Sequence, residues 1–334
     1  MVNVDRGRYG CRLPEGRMVT AMKARELGRN SVVVGDRVAL AGDTSGDPGT
    51  LARVVRVFER TSELRRSPDD SDPLERIIVA NAQQMVIVSS LADPPPRLRF
   101  IDRCLVAAYD AGLDPLLVLT KADLASPRKV RVFYKPLDLP MLTTRQPLPP
   151  QTLSRLRRAL TGQVSVLIGQ SGVGKSTLVN ALIPDADRAV GTVNPVTGRG
   201  RHTSSSAVAL ALYPRGDDPP GSPRAWGDSP SPHTPSAPRS WGDSPSPHIP
   251  LAPQTPLGWL IDTPGVRGFG LGHVSAQRVV EAFGDLAEGT VNCPPGCDHL
   301  SPDCALDEWA AVHHAEARLD SLRRLLRSRN SAPD

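Results

Sequence analysis

The rhythm of apolar and polar residues changes along this chain, and each change marks a different kind of element. Up to residue 66, short runs rich in Val and Ala at 18–21, 31–34, 37–40 and 52–57 are separated mostly by Gly and Asp turns. Runs of that length and composition predict strands, and together they predict a small barrel ending near Arg66. Residues 67–75 hold Pro68, Asp69, Asp70, Asp72 and Pro73, and read as an acidic linker. From Arg76 the apolar runs become continuous, at 77–79, 85–88, 116–119, 164–168 and 259–261. Helical stretches separate them, one from about 98 to 111, after the chain-breaking residues Asp93 to Pro96. Apolar strands alternating with helices predict βαβ units and a mainly parallel sheet over 76–280. Beyond residue 281 the pattern turns helical. A helix is predicted over 307–329, with Leu319, Leu322, Leu325 and Leu326 on one stripe. That stripe reads as core. Arg318, Arg323, Arg324, Arg327 and Arg329 surround it, a basic edge able to help hold RNA.

Residues 214–257 break the pattern. Pro, Ser and Gly dominate, and W-G-D-S-P-S-P-H occurs at Trp226–His233 and again at Trp241–His248, a period of 15. Two copies are too few for a solenoid, and the proline density opposes both helix and sheet ladder. The tract reads as a disordered tandem duplication, or as a short docking tract built on its Trp residues. It takes the place of a hairpin turn between apolar runs at 207–213 and 257–261. Lengthening a loop roughly tenfold costs only about 2 kcal/mol in closure entropy, so the fold should tolerate it.

Three short strings carry the chemistry. Gly169, Gln170, Ser171, Gly172, Val173, Gly174, Lys175 and Ser176 satisfy G-x-x-x-x-G-K-[ST] between a predicted strand and a predicted helix start. Backbone N–H groups in such a loop curl around a phosphate chain, and the helix N-terminus adds a positive dipole end. Lys175 should reach the β and γ phosphates and Ser176 should ligate Mg²⁺, with Thr177 next in the phosphate-binding turn. The string D-T-P-G, Asp262 to Gly265, follows an apolar strand. Asp262 suits the carboxylate behind Mg²⁺, and the Gly265 N–H suits the γ-phosphate. The string Thr120-Lys121-Ala122-Asp123 follows another apolar strand. Asp123 can accept from guanine N1 and N2, a donor pair that adenine lacks, and the Lys121 stem can cover the base. Many GTPases place a water-orienting Gln after D-x-x-G, but here that position is Val266. The stretch Gly198 to Ser204 offers Thr203, or Ser204 in its place, to close on Mg²⁺ and the γ-phosphate. The order is unusual, because the guanine string precedes the P-loop and D-T-P-G follows both. That order is a circular permutation of an ordinary GTPase.

Cys293, Cys297, His299 and Cys304 form C-x₃-C-x-H-x₄-C. Three thiolates and one imidazole suit a closed tetrahedral zinc site, and clustered thiols beside an intracellular nucleotide site favour metal over disulfide. Cys11 and Cys104 stand alone and read as packing residues. The formal net charge is +5, and residues 1–66 hold 13 Lys and Arg against 8 Asp and Glu, which accounts for all of it. A basic β-rich segment beside a nucleotide switch suits a phosphate-backbone partner, although solvated surface charge gives the same count. No apolar run is long enough to span a bilayer and no signal-peptide core is present, so a cytoplasmic protein is the simplest expectation; a monomer is expected as well.

In combination, these motifs resemble the ribosome small-subunit-dependent GTPase A family of circularly permuted GTPases. The resemblance rests on V-V-G-D-R-V at Val33–Val38, T-K-A-D, G-Q-S-G-V-G-K-S-T-L, G-R-H-T-S at Gly200–Ser204, W-L-I-D-T-P-G and the Cys/His cluster. It covers nearly the whole chain apart from the repeat tract. It implies a multidomain protein with an OB-fold barrel over 1–66, a linker at 67–75, a permuted α/β P-loop GTPase domain over 76–280 and a zinc-bearing helical domain over 281–334. It also implies GTP hydrolysis to GDP, stimulated by the small ribosomal subunit and its rRNA during late maturation, with His202 positioning the water. Two features depart from the family pattern. Both Cys gaps are one residue shorter than usual. The guanine-side loop reads Thr143-Thr144-Arg145 in place of Ser-Ala, which leaves the guanine O6 contact unassigned. The competing readings are a P-loop ATPase or kinase with an accidental T-K-A-D, and an RNA-binding zinc protein whose nucleotide site is vestigial.

Overall fold

The computed structural model describes residues 1–5, 7–28, 32–66, 76–186, 207–215, 255–263, 271, 273–301 and 303–329. Its N-terminal part contains β1 (Asn3–Asp5), β2 (Arg8–Arg12), β3 (Met18–Lys23), β4 (Val38–Gly42), β5 (Ala52–Val57) and β6 (Glu63–Arg66). Side chains alternate along β3, so Val19 and Ala21 are buried while Met18, Thr20 and Met22 are exposed. The inward residues join Met1, Tyr9, Cys11, Val32, Ala52 and Val54 in a core of their own. Strands β3 and β5 run parallel, while β1–β2, β2–β3 and β4–β5 are antiparallel. The predicted strands at 18–21, 37–40 and 52–57 correspond to β3, β4 and β5. The one predicted at 31–34 does not form. Among its described residues only Val34 makes a bridge, to Val79. The cause is local: Gly35 adopts φ +98° and the Asp36 carboxylate accepts the Val33 N–H at 2.7 Å, so this stretch is a loop.

The central part contains β7 (Arg76–Ala80), β8 (Gln84–Ser90), α1 (Leu98–Asp110), β9 (Asp114–Thr120), α2 (Arg128–Tyr134), β10 (Met141–Thr143), α3 (Pro150–Leu160), β11 (Val164–Gly169), α4 (Lys175–Leu182), β12 (Val208–Leu212) and β13 (Gly258–Asp262). Strands β10, β9, β8, β11 and β13 lie side by side and parallel, as the continuous apolar runs predict. Residues alternate between two cores. Met85, Ile87, Leu117, Leu119, Val166 and Ile261 face one, and Val86, Val88, Leu116, Val118, Leu167 and Leu260 face the other. Strand β12 pairs antiparallel with β13 from Val208↔Asp262 to Leu212↔Gly258, so the hairpin strands on either side of the repeat tract are in register. The remainder of the tract, residues 216–254, lies outside the described residues.

Two strand pairings cross the boundary expected at 66–76, besides the Val34↔Val79 bridge. Strand β1 pairs with β12 at Asn3↔Val208, so the N-terminal strands continue the same sheet, which reaches eleven strands among the described residues. Strand β7 leaves the parallel sheet altogether and pairs antiparallel with β6. The 33–36 loop sits at this junction. Asn81 Nδ2 donates to the Gly35 carbonyl and the Ala80 N–H donates to the Val34 carbonyl, both at 3.0 Å. A Cβ on Gly35 would lie 1.9 Å from the Ala80 carbonyl oxygen, so only glycine fits. Asp36, fully buried, is clamped by Arg60 at 2.7 and 2.9 Å. These contacts give V-V-G-D a structural role.

The C-terminal part holds α5 (Ala276–Glu281), α6 (Gly284–Gly289), α7 (Leu306–His313) and α8 (Glu316–Arg329). The single helix predicted over 307–329 is broken at His314, which takes a left-handed conformation (φ +55°) while the Ala315 N–H returns to the Ala310 carbonyl. Leu319, Leu322, Leu325 and Leu326 are buried, so the stripe is core. The surrounding arginines are held by intramolecular partners: Arg318 pairs with Asp285, Arg323 with Asp307 and Arg324 with Asp102, and Arg329 donates to the Val274 carbonyl at 3.2 Å. Arg324 also lies 4.1 Å from the Phe133 ring centroid. Asp102, whose carboxyl is pushed up by burial, accepts from Tyr134 Oη as well. Helix α8 is thus fastened to α1 and α2. Among the described residues no helix is long and apolar enough to cross a membrane.

Candidate functional site

The parallel sheet brings the distant strings to one edge. Strand β11 ends in the P-loop, β13 beside it ends in Asp262, and β8 carries the line across to β9, which ends at Thr120. Ligand sites form outside the carboxyl ends of such strands. In the P-loop, Gly172 and Gly174 adopt φ +77° and +90°, and a Cβ on Gly169 would lie 2.7 Å from the Val88 carbonyl oxygen. The glycine positions of the motif are therefore set by backbone geometry. Helix α4 starts at Lys175, so Ser176 and Thr177 occupy its first turn. Lys175 Nζ donates to the Thr263 carbonyl at 2.7 Å and lies 3.3 Å from Asp262 Oδ1. Thr263 Oγ1 in turn donates to the Leu167 carbonyl at 2.8 Å, which holds the start of D-T-P-G against β11. Thr263 has no role in the motif as read from sequence, and only the sheet register reveals this one. A glycine-rich turn, a helix N-terminus, an ammonium and a buried carboxylate form a donor set suited to a phosphate chain with Mg²⁺.

On the base side, Thr120 Oγ1 donates to the Val173 carbonyl at 2.6 Å and so ties T-K-A-D to the P-loop. Lys121 takes φ +57° and its ammonium bonds the Asp93 carbonyl. Asp123 is exposed, and its Oδ1 accepts the Gln146 N–H at 3.0 Å. The Ala122 N–H donates to the Thr144 carbonyl at 3.0 Å. The 143–146 loop therefore packs directly on T-K-A-D. Gly265, His202 and Thr203 lie outside the described residues.

The four sequence-predicted metal ligands converge, with their ligand atoms all within 4.8 Å of one another. Cys293 Sγ is 3.8 Å from Cys304 Sγ, and both lie 3.7 Å from His299 Nδ1. Tetrahedral zinc–sulfur bonds of about 2.3 Å put ligand atoms on the order of 3.7 Å apart, so the group fits zinc. His299 reaches inward from a left-handed backbone (φ +59°). Burial lowers its pKa and keeps the imidazole neutral, while burial pushes the Cys304 thiol up to about 12. A metal ion there must displace that proton. Arg323 braces the loop, donating to the His299 carbonyl at 3.0 Å and pairing with both Asp307 oxygens at 2.6 and 2.7 Å. Cys11 and Cys104 are buried and remote from the cluster.

Fold and site together define a circularly permuted P-loop GTPase. The solved structure of YloQ, a circularly permuted GTPase, superposes with a TM-score of 0.60 at 17% identity, covering 99% of this chain and 93% of that one. YjeQ from Thermotoga maritima gives 0.59 at 20% identity, covering 99% and 97%. A family profile described as RsgA GTPase matches residues 57–221. A protein of Pseudomonas syringae pv. tomato named small ribosomal subunit biogenesis GTPase RsgA is 34% identical over 284 residues, 83% of this chain and 68% of that protein. The one of the same name from Ectopseudomonas mendocina is 34% identical over 307 residues, 89% of this chain and 75% of that protein. The chain belongs to the RsgA GTPase family.

Proposed function

We propose that this chain hydrolyses GTP in the biogenesis of the small ribosomal subunit and that the subunit itself raises turnover. The observation that carries the reading is the meeting of Lys175, Asp262 and T-K-A-D at one sheet edge despite their permuted order. In this reading the Asp123 carboxylate selects guanine and the P-loop N–H groups with Lys175 hold the phosphates. Ser176 and Thr203 would ligate Mg²⁺, with Asp262 behind it, and the Gly265 N–H would meet the γ-phosphate. His202 would position the water, in place of the Gln that Val266 cannot supply. The names of the curated relatives supply the subunit.

The domain plan of 1–66, 67–75, 76–280 and 281–334 remains our proposal, with the sheet continuity at β1–β12 and the β6–β7 pair crossing its first boundary. The N-terminal order β1-β2-β3-β5-β4 with a parallel β3–β5 pair and a separate core supports an OB-type barrel. Its positive charge suits rRNA, and the protein would act as a cytoplasmic monomer. Zinc at Cys293, Cys297, His299 and Cys304 would hold the C-terminal helices' loop. An ATPase is disfavoured because the Asp123 carboxylate can accept from guanine N1 and N2, a donor pair that adenine lacks, and a vestigial site because Lys175, Ser176 and Asp262 are intact. The test is GTP turnover with and without purified small subunits, with ATP as competitor. Stimulation by the subunit and no competition by ATP support the reading, and their absence removes it.

A further inference from the structure

We propose that the Arg145 guanidinium reads the O6 and N7 edge of guanine. The inference rests on the reading of Asp123 given above. With N1 and N2 on Asp123, the next acceptors around the purine are O6 and then N7. Both need donors from groups beside Asp123. Most of those nearby are committed elsewhere. The single Thr120 hydroxyl proton goes to the Val173 carbonyl at 2.6 Å. The Lys121 ammonium bonds the Asp93 carbonyl. Arg131 Nη2 donates to Thr143 Oγ1 at 2.8 Å. The Thr144 N–H goes to the Leu119 carbonyl and the Gln146 N–H to Asp123 Oδ1. Arg145 lies between Thr144 and Gln146, is exposed, and has no hydrogen-bond or ion-pair partner among the described residues.

The chemistry matches. Guanine presents two adjacent acceptors, O6 and N7, where adenine sets an N6 donor beside N7, and the guanidinium fork donates to both at once. An exposed arginine without a partner among the described residues, on the loop that packs against the guanine string, is placed to supply the two donors that Thr120 cannot. Arg145 is thus a specificity residue acting on the base and not on the phosphates.

Titration calorimetry of the full chain with GDP, 7-deaza-GDP and ADP tests this. The wild type should bind 7-deaza-GDP, which lacks the N7 acceptor, about tenfold more weakly than GDP, the low end of what a bidentate arginine contact provides. Arg145→Ala should bind GDP about tenfold more weakly and no longer separate GDP from 7-deaza-GDP. Arg145→Lys keeps the charge without the fork and should recover only a minor part. Equal binding of both nucleotides by the wild type, undiminished discrimination in Arg145→Ala, or full recovery by lysine overturns the proposal. The ADP arm keeps the two readings apart. Equal binding of GDP and ADP by the wild type removes the guanine reading of Asp123 itself, whereas strong rejection of ADP with no 7-deaza effect removes Arg145 alone.

Discussion

Arg60→Ala should loosen the N-terminal strands far more than loss of a surface arginine would. Its guanidinium binds both oxygens of Asp36 at 2.7 and 2.9 Å, with Arg60 13% and Asp36 0% exposed at the side chain. That contact raises the Arg60 pKa further. Without Arg60, Asp36 keeps the Val33 N–H and the Met1 ammonium, which donates to its backbone carbonyl at 2.8 Å, but loses the guanidinium that holds both its carboxylate oxygens. Breaking a buried pair from one side costs about 3–5 kcal/mol. The lower figure applies here, because the cavity left by Arg60 opens toward solvent. A loss of about 3 kcal/mol corresponds to a roughly hundredfold larger open population. Hydrogen exchange of the β3 and β5 amides, corrected for intrinsic rates, reads that opening locally, which suits a chain that need not unfold in one step. Replacing both charges, with Asp36→Asn and Arg60→Met, should cost less than Arg60→Ala alone. A change under about fivefold in Arg60→Ala, or a double variant as unstable as the single, would refute the buried-pair reasoning.

Asp123→Asn should weaken GTP binding by roughly 2–4 kcal/mol, because the amide keeps one acceptor and sets its NH₂ against the second donor of the base edge; unchanged affinity by calorimetry would count against the assignment. Metal analysis should find about one zinc per chain, and stripping it with a strong chelator should abolish order around 293–304, since such sites contribute on the order of 10 kcal/mol to folding. A metal-free protein with native exchange protection in α7 would contradict that. Deleting 216–256 and joining β12 to β13 by a short turn should leave GTP turnover nearly intact, because Leu212↔Gly258 already sets the hairpin register; a large loss in a folded variant would give the tract a role of its own.

The parts that were legible in the sequence are those whose chemistry or backbone demands specific residue types. The P-loop glycines answer to positive φ and close backbone approach, and the Cys/His spacing answers to one small metal sphere. The buried parallel strands announced themselves as unbroken apolar runs, as at Val86–Val88 and Leu116–Leu119. What was not legible depends on partners far apart in the chain. Arg324 meets Asp102 across 222 residues, and β1 meets β12 across more than 200. No local pattern encodes either pairing. Strands β1, β2 and β6 are short and mix charged with apolar residues, so periodicity passes over them. Residues 32–34 have strand composition, but Gly35 and Asp36 fold them into a loop. The helical periodicity over 307–329 runs straight through His314, where one left-handed residue divides it.

The central claim is most directly tested by GTP turnover of the full chain with purified small subunits, large subunits or neither, at low salt, repeated on a full-length variant with the exposed Arg8, Arg25 and Arg53 changed to Glu. Contacts between basic residues and RNA phosphates weaken steeply as salt rises. The account predicts that small subunits alone raise turnover by at least about tenfold, that added salt suppresses the gain, and that the charge-reversed variant keeps basal hydrolysis while losing most of the stimulation. Equal stimulation by both subunits, or full stimulation of the charge-reversed variant, would contradict it.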